Sequence, residues 1–282
     1  LSPNFCTHIV VNFAIQLLAC HNRERFEVYC YSLNPEENET TAQLRSLIDV
    51  WKSLAGMDAL AAARSIYSDG IDILVDLAGH TEGGATLRIA AYKPAPVQVS
   101  GIGYFDTTGL PAMDYFLSDV YCDPPENDRL FQEQLLRLPH SHFCYTPPET
   151  AAIEPHYRLH QPVVFGSFNN FSKITDEMLQ LWKRLLDRLP GSRLLLKNVQ
   201  NNRRQERLLG QRARRLGFSA DDLEIRTASR DYLREYMDMD VALDTYPYPG
   251  GGTTCEALYM GVPVISLYSQ RHGSRFGYSL LQ

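Results

Sequence analysis

The stretch PGGGTT, residues 249–254, places three consecutive glycines and two threonines shortly after a predicted strand, VALDTY (241–246). A helix is predicted to begin near Thr253, and a helix N-terminus presents free N–H groups and about half a positive charge. Glycine lets such a backbone approach a phosphate closely, and threonine hydroxyls add hydrogen bonds. The same residues also suit an ordinary turn with Thr253 as the helix cap, so the local pattern leaves both interpretations open.

Glu256 lies one turn into this predicted helix. A carboxylate there could accept hydrogen bonds from sugar hydroxyls, as acidic residues do in other nucleotide sites. The stretch has neither the GxGxxG pattern nor the Walker pattern, which disfavours a nicotinamide site or a P-loop.

A second polar loop, SFNNFSKIT (167–175), joins a predicted strand to the most strongly predicted helix. Lys173 precedes the candidate cap Thr175 by two residues, so its ammonium can reach the space beyond the strand. A positive charge there could neutralise a departing phosphate. A lone lysine before a helix is also commonly a solvated surface residue, but a second anion-favouring loop in the same half favours the functional interpretation.

The N-terminal half contributes two histidines to the candidate chemistry. His8 stands before IVVNF at a predicted helix start, and its near-neutral pKa suits a base or a hydrogen-bonding group. His80 follows the apolar run IDILVDLAG (71–79), so it is expected at the carboxyl end of a buried strand. A structural role for His8 is compatible with the same pattern.

A glycine-rich loop, SGIGYFDTTG (100–109), follows another predicted strand. Gly101, Gly103 and Gly109 leave backbone amides that could bracket a sugar or a diphosphate. Asp106, Thr107 and Thr108 could equally form a simple Asx-type turn.

Short apolar runs alternate with amphipathic helices along the 282 residues, a length that favours two domains. Uniformly apolar strands are typical of parallel sheets covered on both faces. The predicted strands are 26–32, 71–79, 96–103, 163–168, 193–197, 223–228, 241–246 and 262–268. The predicted helices are 41–55, 58–68, 83–92, 175–189, 202–216, 230–238 and 253–260.

The fold class that this alternation predicts is α/β, with two Rossmann-like domains facing across a cleft. Four prolines in YTPPETAAIEPHYRLHQP (145–162) indicate a linker. The expected organisation is an N-terminal lobe over 1–145, a linker over 146–162 and a C-terminal lobe over 163–282. The polar start LSPNF and the helix-like end FGYSLLQ lead us to expect a fragment whose lobes are incomplete at the start and the end.

Composition excludes several classes of protein. Of the residues, 44% are hydrophobic and 21% are charged, and no run approaches a membrane span, so no membrane association is expected. The net charge of −6 argues against nucleic acid, because the one arginine-rich run (203–215) has a helix-face pattern. Six cysteines without CxxC spacing, and no visible secretion signal, indicate reduced thiols and a cytoplasmic location.

Taken together, these stretches resemble the catalytic region of the O-GlcNAc transferase and SPINDLY family of glycosyltransferases. Seven anchors support the resemblance in order along nearly the whole chain. They are SPNFxxH (2–8), RFEVYCYS (25–32), DGIDILVDLAGHT (69–81), KPAPVQVSGIGYFDTTGLPAMDY (93–115), SFNNFSKIT (167–175), LWKRLLDRLPGSRLLLK (181–197) and VALDTYPYPGGGTTCEALYMGVPV (241–264).

The resemblance implies a GT-B glycosyltransferase with two Rossmann-like domains. It implies inverting transfer of GlcNAc from UDP-GlcNAc, as co-substrate, to Ser or Thr of a polypeptide acceptor. No metal or other cofactor is expected, and the sequence has no DxD-like acidic motif at a strand end. Helical TPR repeats that recruit the acceptor are expected before this region in the full-length protein.

The resemblance also assigns roles to single residues. His8 matches the family's histidine proposed as base or as a donor or acceptor contact, and Lys173 matches the lysine that stabilises the diphosphate leaving group. Donor binding is expected from the threonine pair at the diphosphate-binding helix, a ribose-holding acid and two loops, namely Thr253, Thr254, Glu256, Gly251, Gly252, Ile102, Gly103 and Asn170.

Several positions depart from the family pattern. The family usually has Trp in place of Gly101 and Pro in place of Phe105, and it often has Gln and His in place of Asn170 and Tyr232. It commonly reads His-Thr-Thr or Gly-Thr-Thr over residues 251–253, where this chain has Gly-Gly-Thr. These changes keep open GDP-fucose as donor, N-glucosylation of Asn, and a decayed transferase that only binds; an epimerase of similar fold is a further class.

Overall fold

The computed structural model describes residues 1–148 and 159–282, which divide into two compact units. The first comprises Leu1–Thr146 with Gln282, and the second comprises Pro147–Leu281. The division falls where the predicted linker 146–162 begins. Most of that linker, residues 149–158, lies outside the described residues.

The first unit alternates short strands and helices. Its elements are α1 (Ile9–Ala19), β1 (Tyr29–Ser32), α2 (Glu39–Leu47), β2 (Val50–Ser53), α3 (Ala59–Ser68), β3 (Ile73–Asp76), α4 (Ala85–Ala90), β4 (Val97–Ser100), β5 (Tyr115–Asp119) and β6 (Gln134–Leu138). Short 3-10 helices span Thr81–Gly84 and Pro125–Leu130.

All strand pairs of the first unit are parallel, with the orders β1-β2 and β3-β4-β5-β6. The segment Leu1–Ser2 lies between these two groups. The amino group of Leu1 donates to Val75 O at 2.8 Å, and the N–H of Ser2 donates to Tyr31 O at 3.1 Å. Counting this segment first, the chain follows the Rossmann-type order, with its switch point between the segment and β3.

The second unit has the same architecture. Its elements are β7 (Val164–Ser167), α5 (Asp176–Arg188), β8 (Arg193–Lys197), α6 (Arg203–Arg215), β9 (Leu223–Arg226), β10 (Val241–Leu243), α7 (Gly252–Tyr259), β11 (Val264–Ile265) and α8 (Phe276–Leu280). Its parallel sheet has the order β11-β10-β7-β8-β9. The order reverses between β7 and β10, which makes this pair the switch point where open α/β sheets bind ligands.

Successive side chains along the strands of the second unit point to opposite faces of the sheet, so a hydrophobic core forms on each face. Phe165, Leu194 and Leu243 pack with the buried faces of α5 and α6. Val164, Leu195 and Ala242 point the other way and pack with residues of α7 and of the 3-10 helix Arg234–Asp238. A sheet covered on both faces explains the uniformly apolar strands of the sequence.

Helix α5 shows why the sequence pattern predicts this fold well in places. The Thr175 hydroxyl accepts from the N–H of Met178 at 3.3 Å, and Asp176 and Glu177 complement the helix dipole in the first turn. Trp182 and Leu186 lie on the buried face. The predicted helix 175–189 and the predicted α/β class with two Rossmann-like domains are confirmed.

Some predicted elements were wrong or missed. The helix predicted over 41–55 ends at Leu47, and β2 follows it, while the helix predicted over 230–238 is the short 3-10 helix Arg234–Asp238. Strands β5 and β6 were not predicted. Within the described ranges, no helix is long and apolar enough to cross a membrane.

Candidate active site

A pocket of the second unit opens at the switch point between β7 and β10. Its lining comes from the ends of both strands, from the start of α7 and from five neighbouring residues: Ser167, Phe168, Asn169, Tyr236, Ala242, Leu243, Asp244, Thr253, Thr254 and Val264. The topology therefore brings together loops that are about 75 residues apart in sequence, as the contacts of Asn169 with Asp244 show.

The N-terminus of α7 faces this pocket without a side-chain cap. Gly251 occupies the cap position, and no side chain in the described part of the chain caps the helix there. A Cβ on Gly250 would lie 2.1 Å from the Thr253 hydroxyl oxygen, so glycine at this position permits the close packing of loop and helix. The Thr254 hydroxyl donates to Gly250 O at 2.8 Å and fixes the turn into the helix. An uncapped helix start of this kind suits an anion.

Asp244 organises the loop that enters α7. Its Oδ1 accepts from the N–H of Thr245 at 2.8 Å and of Gly250 at 2.7 Å, and its Oδ2 accepts from the Ser266 hydroxyl at 2.7 Å. Burial raises the pKa of this carboxyl, and the donors from Gly250 and Ser266 act in the opposite direction. Asp244 was not among the predicted site residues, although an acid directly after a buried strand is a recognisable signal.

Lys173 reaches the same loop from the end of the 3-10 helix Phe171–Lys173. Its Nζ donates to Pro249 O at 3.1 Å and lies 4.4 Å from the centroid of the Tyr248 ring. Burial lowers the pKa of the ammonium to about 8, and the charge of Asp244 partly offsets that shift. At pH 7 the lysine therefore remains mostly protonated beside the start of α7.

Two neighbouring asparagines differ in their positions. Asn170 caps the 3-10 helix through its Oδ1, which accepts from the N–H of Ser172 at 3.0 Å. Asn169 is buried in the pocket wall, and its Oδ1 accepts from the Thr253 hydroxyl at 3.1 Å. The predicted site residues Thr253 and Thr254 thus lie in the pocket together with Asn169, which was not predicted.

Glu256 is buried behind the start of α7. Its two carboxylate oxygens accept from the hydroxyls of Tyr232 at 2.8 Å and Tyr236 at 2.9 Å. Burial raises the pKa of Glu256 to about 7, although both tyrosine donors favour the charged form. Each oxygen of Glu256 thus accepts from a tyrosine hydroxyl, and its ribose contact stays a prediction.

In the first unit, His8 caps α1. Its Nδ1 accepts from the N–H of Val10 at 3.2 Å, and the residue is exposed. The structural role that the sequence left open is therefore present, and the chemical role stays a prediction. His80 follows β3 in the same unit, and its Nε2 lies 2.9 Å from Thr108 O.

The loop after β4 is tightly constrained. Ile102 is buried at φ +70°, a left-handed conformation that is strained for a β-branched residue. A Cβ on Gly103 would lie 1.7 Å from Leu77 O, so only glycine fits there. Buried Asp76 fixes the neighbouring loop by accepting from the N–H groups of Ala78 and Gly79. Ile102 and Gly103 therefore line a preorganised turn at the end of the sheet.

One cluster among the described residues has the chemistry of metal ligands: Asp119, Cys122 and His142. The Asp119 carboxylate accepts from the N–H groups of Tyr121, Cys122 and His142, and its Oδ2 lies 2.6 Å from His142 Nδ1. These donors occupy both carboxylate oxygens, so the cluster forms a buried hydrogen-bond network. The network lies in the first unit and belongs to neither switch point.

Two Rossmann-like units with parallel sheets place the chain in the α/β class, and in the second unit a lysine lies beside an uncapped helix start. The family model for glycosyl transferase family 41 matches residues 1–149 and 150–282. The chain belongs to this family.

Relatives and solved structures agree with that assignment. The chain is 40% identical over 295 residues to the probable UDP-N-acetylglucosamine–peptide N-acetylglucosaminyltransferase SPINDLY of Arabidopsis thaliana, across 100% of this chain and 32% of that protein. It is 30% identical over 293 residues to the protein of the same description named SEC from that plant, across 99% of this chain and 30% of that protein. A mutant of the Thermobaculum terrenum O-GlcNAc transferase superposes with a TM-score of 0.92 at 37% identity, across 99% of this chain and 54% of that one. The chain thus spans about a third of the length of these curated relatives.

Proposed function

We propose that the chain is the catalytic part of a protein O-glycosyltransferase that transfers GlcNAc from UDP-GlcNAc to Ser or Thr of a polypeptide, with inversion. The observation that carries this proposal is the partly buried Lys173, whose Nζ donates to Pro249 O beside the uncapped start of α7. A fixed positive charge and free N–H groups at one place suit the charge that develops on a departing nucleoside diphosphate. The names of the relatives support the peptide acceptor and the UDP-GlcNAc donor.

The mechanism assigns a task to each group. An acceptor hydroxyl attacks the anomeric carbon from the face opposite the diphosphate, while Lys173 and the amides at residues 251–254 stabilise the leaving UDP. His8 is the proposed base or donor contact, with Ile102, Gly103, Asn170 and Glu256 as further donor-binding residues. Lys173 supplies the positive charge, so the reaction is proposed to need no metal ion.

The setting of the full-length protein is proposed on the same basis. The chain covers about a third of its curated relatives, which leaves room for the acceptor-recruiting TPR repeats expected before it. All six cysteines, which lie within the described ranges, are free thiols, and this supports a cytoplasmic location.

The experiment that tests the proposal measures sugar transfer to a Ser/Thr peptide by the purified chain. Lys173→Ala should lower kcat by about 100-fold or more, because it removes a charge stabiliser of the leaving group. Lys183→Ala is the matched control, since that lysine pairs with Asp187 on the surface of α5. Equal turnover by the two variants would overturn the assignment of Lys173. Parallel reactions with GDP-fucose, and with an Asn peptide, separate the alternative chemistries.

A further inference from the structure

The aromatic ring of Tyr248 forms one wall around the Lys173 ammonium. Nζ lies 4.4 Å from the ring centroid, within the range of a cation–π interaction. The tyrosine is 46% exposed, so the ring has one face on the lysine and other atoms open to solvent. A large aromatic side chain that is half exposed and held over a cation is not explained by core packing.

The backbone that presents Tyr248 is fixed on both sides. The Thr245 hydroxyl donates to Tyr248 O at 2.7 Å, and the N–H of Gly250 donates to Asp244 at 2.7 Å. Within this turn, Pro249 O accepts from Lys173. The ring and the carbonyl therefore come to the ammonium as one preorganised unit.

The charge of Asp244 also acts on Lys173 and favours its protonated form. Asp244 is buried, so a lysine that turned toward its carboxylate would direct its charge into the protein. The ring of Tyr248 attracts the same ammonium from the side of the loop that enters α7.

We propose that Tyr248 is a positioning residue that holds the Lys173 ammonium at the start of α7, where it can meet the diphosphate of the donor. The catalytic effect of Tyr248 rests on the proposed function. The stabilisation of the charged lysine by the ring does not depend on the reaction.

The test compares Tyr248→Phe with Tyr248→Leu in the full 282-residue chain. Phenylalanine keeps the ring, whereas leucine keeps an apolar cover without the negative ring face. Tyr92→Leu is the control, because Tyr92 is another exposed tyrosine, in the first unit. Tyr248→Met gives the same comparison should circular dichroism show that the leucine variant is unfolded.

The first readout is the pKa of Lys173, measured from the pH dependence of its acylation by mass spectrometry. Tyr248→Leu should lower this pKa by about half a unit, since it removes cation–π stabilisation of the charged form. Tyr248→Phe and Tyr92→Leu should leave it unchanged. An unchanged pKa in Tyr248→Leu, or an equal shift in Tyr248→Phe, would overturn the proposal.

The second readout is transfer kinetics with UDP-GlcNAc and a Ser/Thr peptide. Tyr248→Leu should lower kcat by about two- to fivefold with an unchanged KM for the peptide, and Tyr248→Phe should restore it. An increase in KM for the peptide with an unchanged kcat would contradict a role through Lys173. If the wild-type chain transfers no sugar, the proposed function fails, whereas the pKa of Lys173 still tests the ring.

Discussion

The hydroxyl of Tyr232 donates to Oε1 of Glu256 at 2.8 Å. Glu256 lies on α7, whose N-terminus forms part of the proposed diphosphate site. Tyr236 donates to the other oxygen, so the acid that the family resemblance assigns to the ribose is held between two aromatic residues. This arrangement places a titrating group behind the start of α7. The stability of the folded chain therefore depends on the protonation state of Glu256.

Glu256→Gln should change the pH dependence of stability. Burial raises the pKa of Glu256 from 4.5 to about 7, so the folded chain keeps a proton that the unfolded chain releases. The stabilisation by protonated Glu256 is thus complete below pH 4.5 and decreases as the pH rises from 4.5 to about 7. Above pH 7, Glu256 causes no further change in stability. Relative to wild type, Glu256→Gln should gain up to roughly 3 kcal/mol in free energy of unfolding over this interval.

Urea unfolding at pH 4.5, 6 and 8 measures this difference. Glu39→Gln is a control, because Glu39 is an exposed residue in the first turn of α2. Parallel curves for wild type and Glu256→Gln would show that the carboxyl titrates normally in the folded chain.

Substitution of His8 separates helix capping from chemistry. His8→Ala removes the cap of α1 and should destabilise the chain by about 1 kcal/mol, whereas His8→Asn retains a favourable cap. Both variants lack the imidazole, so both should lose transfer activity if His8 is the base or a donor contact. Thermal unfolding and turnover are measured on the same samples. Full activity of His8→Asn would limit His8 to the structural role.

Gly103→Ala tests the constrained turn after β4. The added Cβ would lie 1.7 Å from Leu77 O, and the backbone must move, at a cost of about 1–3 kcal/mol or more. Gly109→Ala is the matched control, because Gly109 has open space but φ +66°, and its strain should cost about 1 kcal/mol. Urea unfolding compares the two. A smaller loss for Gly103→Ala than for Gly109→Ala would contradict the close approach.

The sequence predicts the fold best where burial is uniform. Strands β7, β8 and β10 are buried on both faces, so their apolar runs are distinct, and α5 has both a clear period and a cap. Strand β2 is a partly exposed edge strand with the sequence VWKS, which does not interrupt a helical pattern. Local sequence cannot identify such an edge, because only pairing with β1 defines it.

The site was predictable at the level of loops and not of contacts. Lys173 and Thr253 were identified from their positions beside predicted helix starts. Tyr248 was not identified, because its role depends on Lys173, which comes from a different loop. Lys173 also contacts Pro249, which follows Tyr248 and lies 76 residues away in sequence from the lysine. The tyrosine partners of Glu256 were missed for the same reason, since Tyr236 lies on a preceding 3-10 helix and Tyr232 lies in the turn before it, and only the fold brings them to α7.

Gly252→Thr tests the glycine that replaces a hydroxyl common in the family. Gly252 is the first residue of α7 and has helical backbone geometry, so a side chain is compatible with its conformation. The added hydroxyl should tighten binding of the nucleoside diphosphate by about two- to tenfold, as one further hydrogen bond to phosphate would. Calorimetric titration with UDP measures the change. Gly252→Ala is the control, and equal affinity of the threonine and alanine variants would exclude a hydroxyl contact.

Calorimetric titration of the 282-residue chain with UDP and with uridine tests whether the loop entering α7 and Lys173 bind the diphosphate of the donor. We expect UDP to bind at least tenfold more tightly than uridine, and Lys173→Ala to remove most of this difference while uridine binding is unchanged. GDP and GDP-fucose, titrated in parallel, identify the base. Equal affinity for UDP and uridine, or an undiminished preference for UDP in Lys173→Ala, would show that these residues do not bind the diphosphate.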